Sequence, residues 1–136
     1  MTGRYVIHTG IHTAFSDSVP NVLPIEEVTV AQHLKAAGYA THMVGKWHLG
    51  FMTWEHTPTE RGFDSHLGYY AGSTDYFTQE SLCWPDQQCF TSSTPTHEPV
   101  SGWDLHSGRD VIENSSTYST TLYTGKETPL LRHLYI

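Results

Sequence analysis

The chain has 136 residues, of which 38% are hydrophobic and 15% charged, and its formal net charge is −7 at pH 7. This length fits one domain with a single core, and an aromatic content of 12% argues against a disordered tail. The acidic balance excludes nucleic acid and anionic membranes as favoured partners, and no apolar run approaches the roughly 20 residues of a membrane span.

The N-terminal 24 residues are predicted to be irregular, because glycine and proline punctuate them at Gly3, Gly10, Pro20 and Pro24. The mixed residues that follow Met1 do not form a signal peptide. We therefore expect either a cytosolic chain or one whose natural N-terminus is missing, and we favour the second. Arg4 is expected to pair with a carboxylate or to cap carbonyl groups.

A helix followed by a strand is predicted next. The helix covers residues 29–37, where apolar side chains recur at helical spacing, with Thr29 as its N-cap and Gly38 as its stop. Residues 39–44 then predict a buried strand. A helix, a glycine and a strand form the αβ half of a parallel α/β unit.

Lys46 and His48 follow this predicted strand directly. In open α/β sheets, ligands bind outside the carboxyl ends of the strands, and an ammonium group beside an imidazole is a suitable site for a tetrahedral oxyanion. We therefore take both as candidate catalytic residues. The alternative is structural, with the lysine reaching solvent and the histidine hydrogen-bonded to the backbone.

The remaining elements are less regular. Residues 51–76 are expected to form a long aromatic connection, in which Asp64 and Asp75 cap turns, and residues 81–116 a surface excursion. Residues 117–136 have partly helical spacing, but Gly125 and Pro129 are expected to interrupt any helix. Each tryptophan is expected to serve the core or anchor a loop rather than stack on a sugar.

Cys83 and Cys89 enclose a short segment that contains Pro85 and Asp86. A local disulfide is favoured, because Pro85 and Asp86 promote a turn that could bring the two sulfurs together. Two unrelated thiols are the main alternative, and a metal pair fits poorly because the spacing is unusual for zinc. Asn114 begins an N-glycosylation sequon, which weakly supports a secretory compartment.

Several segments of the chain resemble the sulfatase family. Gly38 to Gly50 matches the second signature of that family at every defined position, and Thr2-Gly3-Arg4-Tyr5 resembles the tail of the first. Further segments resemble arylsulfatase B-like members, namely Pro58 to Asp64, Gly72 to Tyr76 and Tyr118 to Thr124. The resemblance covers most of residues 2–126, and residues 127–136 form a divergent or truncated tail.

The resemblance implies an α/β fold, namely part of an alkaline-phosphatase-like domain with a mixed, mostly parallel sheet and long loops. It implies hydrolysis of sulfate esters on aryl or glycosaminoglycan-type substrates by a lysosomal or secreted enzyme. In the family, a formylglycine made from a signature cysteine is the nucleophile and calcium holds the sulfate. The lysine that matches Lys46 binds sulfate, and the histidine that matches His48 contacts the formylglycine.

The chain also departs from the family pattern. The Cys-x-Pro-Ser-Arg precursor of formylglycine and the calcium ligands are absent from the sequence, so no metal ligand is assigned. His97-Glu98-Pro99 copies a leaving-group histidine motif only superficially, because it precedes Tyr118 instead of following it. We therefore expect the fragment to be inactive alone. The alternative is a non-catalytic remnant or a module that binds sulfated glycans.

Overall fold

The computed structural model of the chain describes residues 1–12, 21–83, 90–91, 94–95 and 100–132. The helices are α1 (Val6–Thr9), α2 (Val30–Ala36) and α3 (Ser119–Arg132), and a 3₁₀ helix covers Trp54–His56. The strands are β1 (His42–Val44), β2 (Ser65–Tyr69), β3 (Glu80–Cys83), β4 (Phe90–Thr91), β5 (Thr94–Pro95), β6 (Val100–Trp103), β7 (Leu105–Ser107) and β8 (Asp110–Val111).

The principal sheet has four strands in the order β1-β2-β7-β8. β1 and β2 are parallel, whereas β7 is antiparallel to both β2 and β8. β3 pairs with β6 and β4 with β5 in two small antiparallel sheets. The predicted α/β class with a mixed sheet is confirmed, although the sheet was expected to be mostly parallel and two of the three strand pairings in its described part are antiparallel. Helix α2 followed by β1 is the predicted αβ half of the parallel unit.

Helix α2 begins with a complete capping box. The Thr29 hydroxyl accepts a hydrogen bond from the Gln32 amide at 3.2 Å, and the Gln32 side chain accepts one from the Thr29 amide at 2.8 Å. Thr29 also donates to the Arg61 carbonyl at 2.8 Å. Gly38, with φ of +88°, follows the helix in the left-handed region. The predicted helix and its cap are therefore confirmed.

The strand predicted at residues 39–44 is shorter and less buried than expected. β1 covers only His42–Val44; His42 is exposed, and Met43 and Val44 are partly exposed. Within the described sheet, β1 is an edge strand and pairs with one neighbour only. Thr41 stays outside the strand because its amide donates to the Asp64 carboxylate at 2.8 Å.

Four further expectations about regular structure are wrong. The predicted connection at residues 51–76 contains β2, whose residues are buried or partly buried. The predicted surface excursion contains β7, where Leu105 is only 1% exposed. The segment expected to be irregular at the N-terminus includes the short helix α1, and α3 continues through Gly125 and Pro129. Helix α3 has 14 residues and contains a single proline. A proline removes one hydrogen bond from a helix, so the other turns of α3 can still form.

A small core supports the sheet. The buried apolar side chains in the described ranges are Leu23, Ala31, Trp47, Leu67, Tyr70, Ala71 and Leu105. Arg61 is also buried, and its guanidinium donates to the carbonyls of Pro24 at 3.2 Å and Glu27 at 2.6 Å. Burial lowers the pKa of Arg61, which remains a cation because its ordinary pKa is far above neutrality.

Candidate functional site

The segment that follows β1 continues alongside the end of β2. The Gly45 amide donates to the Leu67 carbonyl at 2.8 Å, the Trp47 amide to Tyr69 at 2.9 Å, and the His48 amide to Tyr70 at 3.0 Å. Lys46 and His48 therefore lie beyond the carboxyl end of a parallel pair of strands, as the sequence predicted. This is the edge of an α/β sheet where ligands usually bind.

Two glycines allow the chain to approach β2 closely at this point. A β-carbon on Gly68 would lie 1.9 Å from the carbonyl oxygen of Gly45, so a larger residue cannot fit without moving the backbone. Gly45 itself has a φ of +110°. The imidazole Nε2 of His66 lies 3.4 Å from the same Gly45 carbonyl. The Gly45–Lys46 peptide is thus seated on the face of β2.

Trp47 anchors the segment between the two candidate residues. Its ring is 5% exposed, and its indole N–H is placed to donate to the carbonyls of Gly50 at 2.9 Å and His56 at 3.0 Å. It also packs edge-on against Phe63, with ring centroids 6.3 Å apart. The expectation that a tryptophan here serves the core is confirmed, and its burial restrains the flanking residues.

Lys46 is exposed, and its ammonium donates a hydrogen bond to the main-chain carbonyl of Gly72 in the loop after β2. His48 is partly exposed and has a φ of +52°. A residue other than glycine is uncommon in this region, and such strain collects at functional sites. The structure brings both candidates to one edge of the sheet. No feature of the sequence indicates that the Gly72 carbonyl would accept this hydrogen bond from Lys46.

Asp104 fixes the loop that holds these residues. Its carboxylate is buried and accepts hydrogen bonds from the amides of Tyr70 at 3.1 Å and Ala71 at 2.9 Å. Sequence reasoning missed Asp104, because it lies 34 residues after Tyr70 and further still from Lys46 and His48, and the pairing of β2 with β7 brings it there. Its place between two large apolar residues, Trp103 and Leu105, is the signal that the sequence offers.

A stack of three rings lies beside this loop. Tyr70 stacks on His106 with centroids 4.0 Å apart and on His66 at 5.4 Å. Burial lowers the pKa of His66 from 6.5 to about 4 and also lowers the pKa of His106. Burial raises the pKa of Tyr70 to about 12, and its hydroxyl donates to the Gly108 carbonyl at 2.5 Å. All three rings are therefore neutral near pH 7.

The other polar candidates have structural contacts. Arg4 forms a 2.6 Å ion pair with Glu27, as expected. Asp75 accepts hydrogen bonds from the amides of Phe77 and Thr78, both at 2.8 Å, and so caps a turn as predicted. Asp64 accepts from Thr41 and forms a 2.8 Å ion pair with Lys35.

The remaining sequence motifs are only partly described. Asn114 is exposed and has a φ of +54°, which places the sequon on the surface. Cys89 and the His97-Glu98-Pro99 motif lie outside the described residues, as does the side chain of Cys83. The disulfide and the leaving-group motif therefore stay predictions.

The described residues do not provide a calcium site. Across residues 1–12, 21–83 and the later described segments, no group of three or more His, Cys, Asp or Glu residues is placed to hold a metal ion. Asp104 is occupied by two backbone amides. At this edge of the sheet the described chain places the ammonium of Lys46 and the imidazole of His48. No helix in the described part is long and apolar enough to cross a membrane.

Comparison with known proteins gives a consistent result. The family model described as Sulfatase matches residues 1–124. Arylsulfatase J of Mus musculus is 39% identical over 134 residues, which cover 96% of this chain and 20% of that protein. Arylsulfatase A of Homo sapiens is 37% identical over 97 residues, covering 70% of this chain and 18% of that protein. The chain thus spans about a fifth of the length of these curated relatives.

The fold comparison agrees. The crystal structure of Ps i-CgsB superposes with a TM-score of 0.71 at 24% identity, covering 98% of this chain and 29% of that chain. The crystal structure of Ps i-CgsB in complex with k-i-k-neocarrahexaose superposes equally well. At this level of identity, the likeness concerns the fold alone.

Proposed function

This chain belongs to the sulfatase family, and we propose that it is the part of a sulfuric ester hydrolase that binds the sulfate group. The observation that carries the proposal is the position of Lys46 and His48 beyond the parallel strands β1 and β2, with the lysine tied to the loop after β2. The whole enzyme is proposed to be arylsulfatase B-like and to act on aryl or glycosaminoglycan-type sulfate esters.

Lys46 is proposed to bind the sulfate oxygens. Its ammonium is a compact point charge, which suits a tetrahedral anion that offers oxygens in several directions. Negative charge accumulates on these oxygens and on the leaving group in the transition state, where a preorganised cation lowers the barrier. The bond to the Gly72 carbonyl holds the ammonium without neutralising it, because a carbonyl is an uncharged acceptor.

His48 is proposed to orient a hydroxyl group of the nucleophile and to exchange a proton with it. An imidazole can both accept and donate a proton, which suits this role. The strained backbone at His48 is fixed by the bond from its amide to Tyr70. The nucleophile and the calcium ligands, which the family generally requires, are proposed to lie in other parts of the enzyme.

A secretory or lysosomal location is part of the same proposal. The exposed sequon at Asn114 supports it, and Cys83 and Cys89 are proposed to form a disulfide in an oxidising compartment. Mass spectrometry of protein from a secretory host tests both modifications. Sulfated glycans are proposed as partners, since a related fold has been crystallised with k-i-k-neocarrahexaose.

A chimera tests the proposed function directly. Residues 2–126 replace the matching segment of mouse arylsulfatase J, so that the remaining part supplies the nucleophile and the metal site. We expect calcium-dependent hydrolysis of 4-nitrocatechol sulfate. A folded, secreted chimera without turnover contradicts the enzyme proposal. If that chimera still binds a dermatan sulfate column specifically, the alternative of a non-catalytic glycan-binding module is favoured.

A further inference from the structure

Asp104 occupies an unusual position between the small sheets and the candidate site. It lies directly between β6 and β7, and its carboxylate is buried against the chain that leaves β2. One oxygen accepts from the Tyr70 amide at 3.1 Å and the other from the Ala71 amide at 2.9 Å. Its own amide donates to the Gln79 carbonyl at 3.0 Å. Both its side chain and its backbone are therefore fixed.

The two amides that Asp104 holds belong to the segment that holds the candidate residues. The carbonyl of Tyr70 accepts the hydrogen bond from the His48 amide at 3.0 Å. The carbonyl of Gly72 accepts the hydrogen bond from the Lys46 ammonium. The Tyr70 carbonyl and the Ala71 amide belong to the same planar peptide unit, so the bond to Asp104 sets the orientation of that carbonyl directly. The Gly72 carbonyl lies two peptide units further along, so Asp104 acts on it through the intervening chain.

The surroundings of Asp104 support a positioning role. The carboxylate is 3.6 Å from the His106 ring nitrogen, but that nitrogen lies closer, at 2.6 Å, to the Asp104 carbonyl. The pKa of His106 is lowered by burial, so the ring is neutral and does not compete as a cation. The carboxylate is thus committed to backbone amides at about 3 Å.

We propose that Asp104 is a positioning residue for the sulfate site, acting through the Tyr70–Gly72 segment to set the places of Lys46 and His48. This inference rests on the proposed function for its catalytic meaning, but its geometric content can be tested alone. Asp104 does not contact the sulfate itself. It sets the positions of Lys46 and His48 before sulfate binds.

Amide hydrogen exchange on the full 136-residue chain tests the geometry. In Asp104→Asn, the amide nitrogen of the new side chain faces one of the two backbone donors, so one bond is lost at nearly constant volume. We expect exchange at Ala71, Trp47 and His48 to speed up at least about tenfold relative to the Ala37 amide of α2. Asp104→Glu keeps the charge but displaces the oxygens, and we expect the same local effect.

Asp75→Asn is the matched control. Asp75 also accepts two backbone amides, from Phe77 and Thr78, and its turn reaches Asp104 through the main chain of Gln79, which donates to the Asp75 carbonyl and accepts from the Asp104 amide. We expect this variant to leave exchange at Trp47 and His48 unchanged. Equal acceleration at the site and at Ala37 in Asp104→Asn overturns the proposal, because the residue would then serve general stability. Full protection in Asp104→Glu overturns it too, since charge alone would suffice.

Titration with inorganic sulfate separates this inference from the proposed function. We expect sulfate to shift the Lys46 side-chain and His48 amide resonances, and Asp104→Asn to weaken that binding about fivefold or more while Asp75→Asn does not. Absence of any shift in the unmodified chain contradicts the proposed sulfate site. The exchange measurements then still decide whether Asp104 positions the segment. If Asp104→Asn speeds up amide exchange at the site but leaves the sulfate affinity unchanged, the proposed role of Asp104 in sulfate binding is overturned.

Discussion

The ammonium of Lys46 donates a hydrogen bond to the carbonyl of Gly72, which lies 26 residues further along the chain. β1 and β2 are parallel, so their carboxyl ends meet at one edge of the sheet and the two following loops face each other. The lysine therefore does not extend freely into solvent. Its position depends on the loop that leaves β2, and hence on every residue that shapes that loop.

Removal of the lysine ammonium is expected to impair both binding and catalysis. In the active chimera, Lys46→Ala should raise KM and lower kcat, with a loss in kcat/KM on the order of 10²-fold or more, because the charge acts on sulfate in the ground and transition states. Lys46→Arg should not rescue, since its planar fork differs from a compact ammonium. Lys35→Ala is the control, because it removes a surface lysine that is paired with Asp64. Steady-state kinetics is the measurement, and kinetic constants of Lys46→Ala close to those of the unmodified chimera would refute the assignment.

Substitution of the histidine is expected to affect kcat more than KM. His48→Asn retains a residue that tolerates φ of +52° and so preserves the backbone better than alanine does. Loss of the imidazole should lower kcat on the order of 10²-fold with a smaller change in KM, because the proposed role is in proton transfer to and from the nucleophile. Steady-state kinetics of the chimera is the measurement. An unchanged kcat would show that His48 has no such role.

A methyl group on Gly68 is expected to displace the site. The added β-carbon in Gly68→Ala would lie 1.9 Å from the Gly45 carbonyl oxygen, so one backbone must move. We expect a loss of about 2 kcal/mol or more in the free energy of unfolding, measured with urea, and a fall in kcat/KM of the chimera. Gly102→Ala is the control, because its β-carbon meets nothing within 4 Å; equal stability of both variants would contradict the close approach.

The chain is expected to lose stability in mild acid because of His66. The imidazole is 2% exposed and has a pKa of about 4, whereas the unfolded chain binds this proton near pH 6.5. Stability is therefore present above pH 6.5 and falls as the pH drops from 6.5 to 4, by up to about 3 kcal/mol from this residue. The lowered pKa of His106 acts in the same direction.

Urea unfolding at several pH values checks this expectation. His66→Gln cannot be protonated, so its midpoint should vary less between pH 6.5 and 4 than that of the unmodified chain. His42→Gln serves as the control, because His42 is exposed. If the urea midpoint changes with pH to the same extent in all three proteins between pH 6.5 and 4, His66 is excluded as the cause.

The 136-residue chain alone is expected to show no turnover of an aryl sulfate. A covalent nucleophile and a metal together account for a large part of an enzyme's barrier reduction, of order 8 kcal/mol or more, and the Cys-x-Pro-Ser-Arg motif is absent from this sequence. Lysine and histidine cannot replace both. Calcium-dependent release of 4-nitrocatechol by the purified chain, abolished by Lys46→Ala, would contradict this expectation.

The sequence alone determined the local features of this protein. The cap at Thr29, the stop at Gly38 and the turn at Asp75 were predicted because each depends on hydrogen bonds between residues that are close in sequence. Lys46 and His48 were found for a similar reason, since their spacing after an apolar segment is itself the signal. The resemblance to the sulfatase family could also be recognised from the sequence, because it is carried by motifs of consecutive residues.

Only the tertiary structure decided what holds those two residues in place. The strand β2, which seats the Gly45–Lys46 peptide, lay in a segment interpreted as a connection, and the contact of Gly68 with Gly45 joins parts of the chain that are distant in sequence. Asp104 lay in a segment interpreted as a surface excursion, and its bonds to Tyr70 and Ala71 exist only because β7 pairs with β2. Contacts of this kind join residues that are distant in sequence, and no local periodicity or propensity encodes which of them will meet.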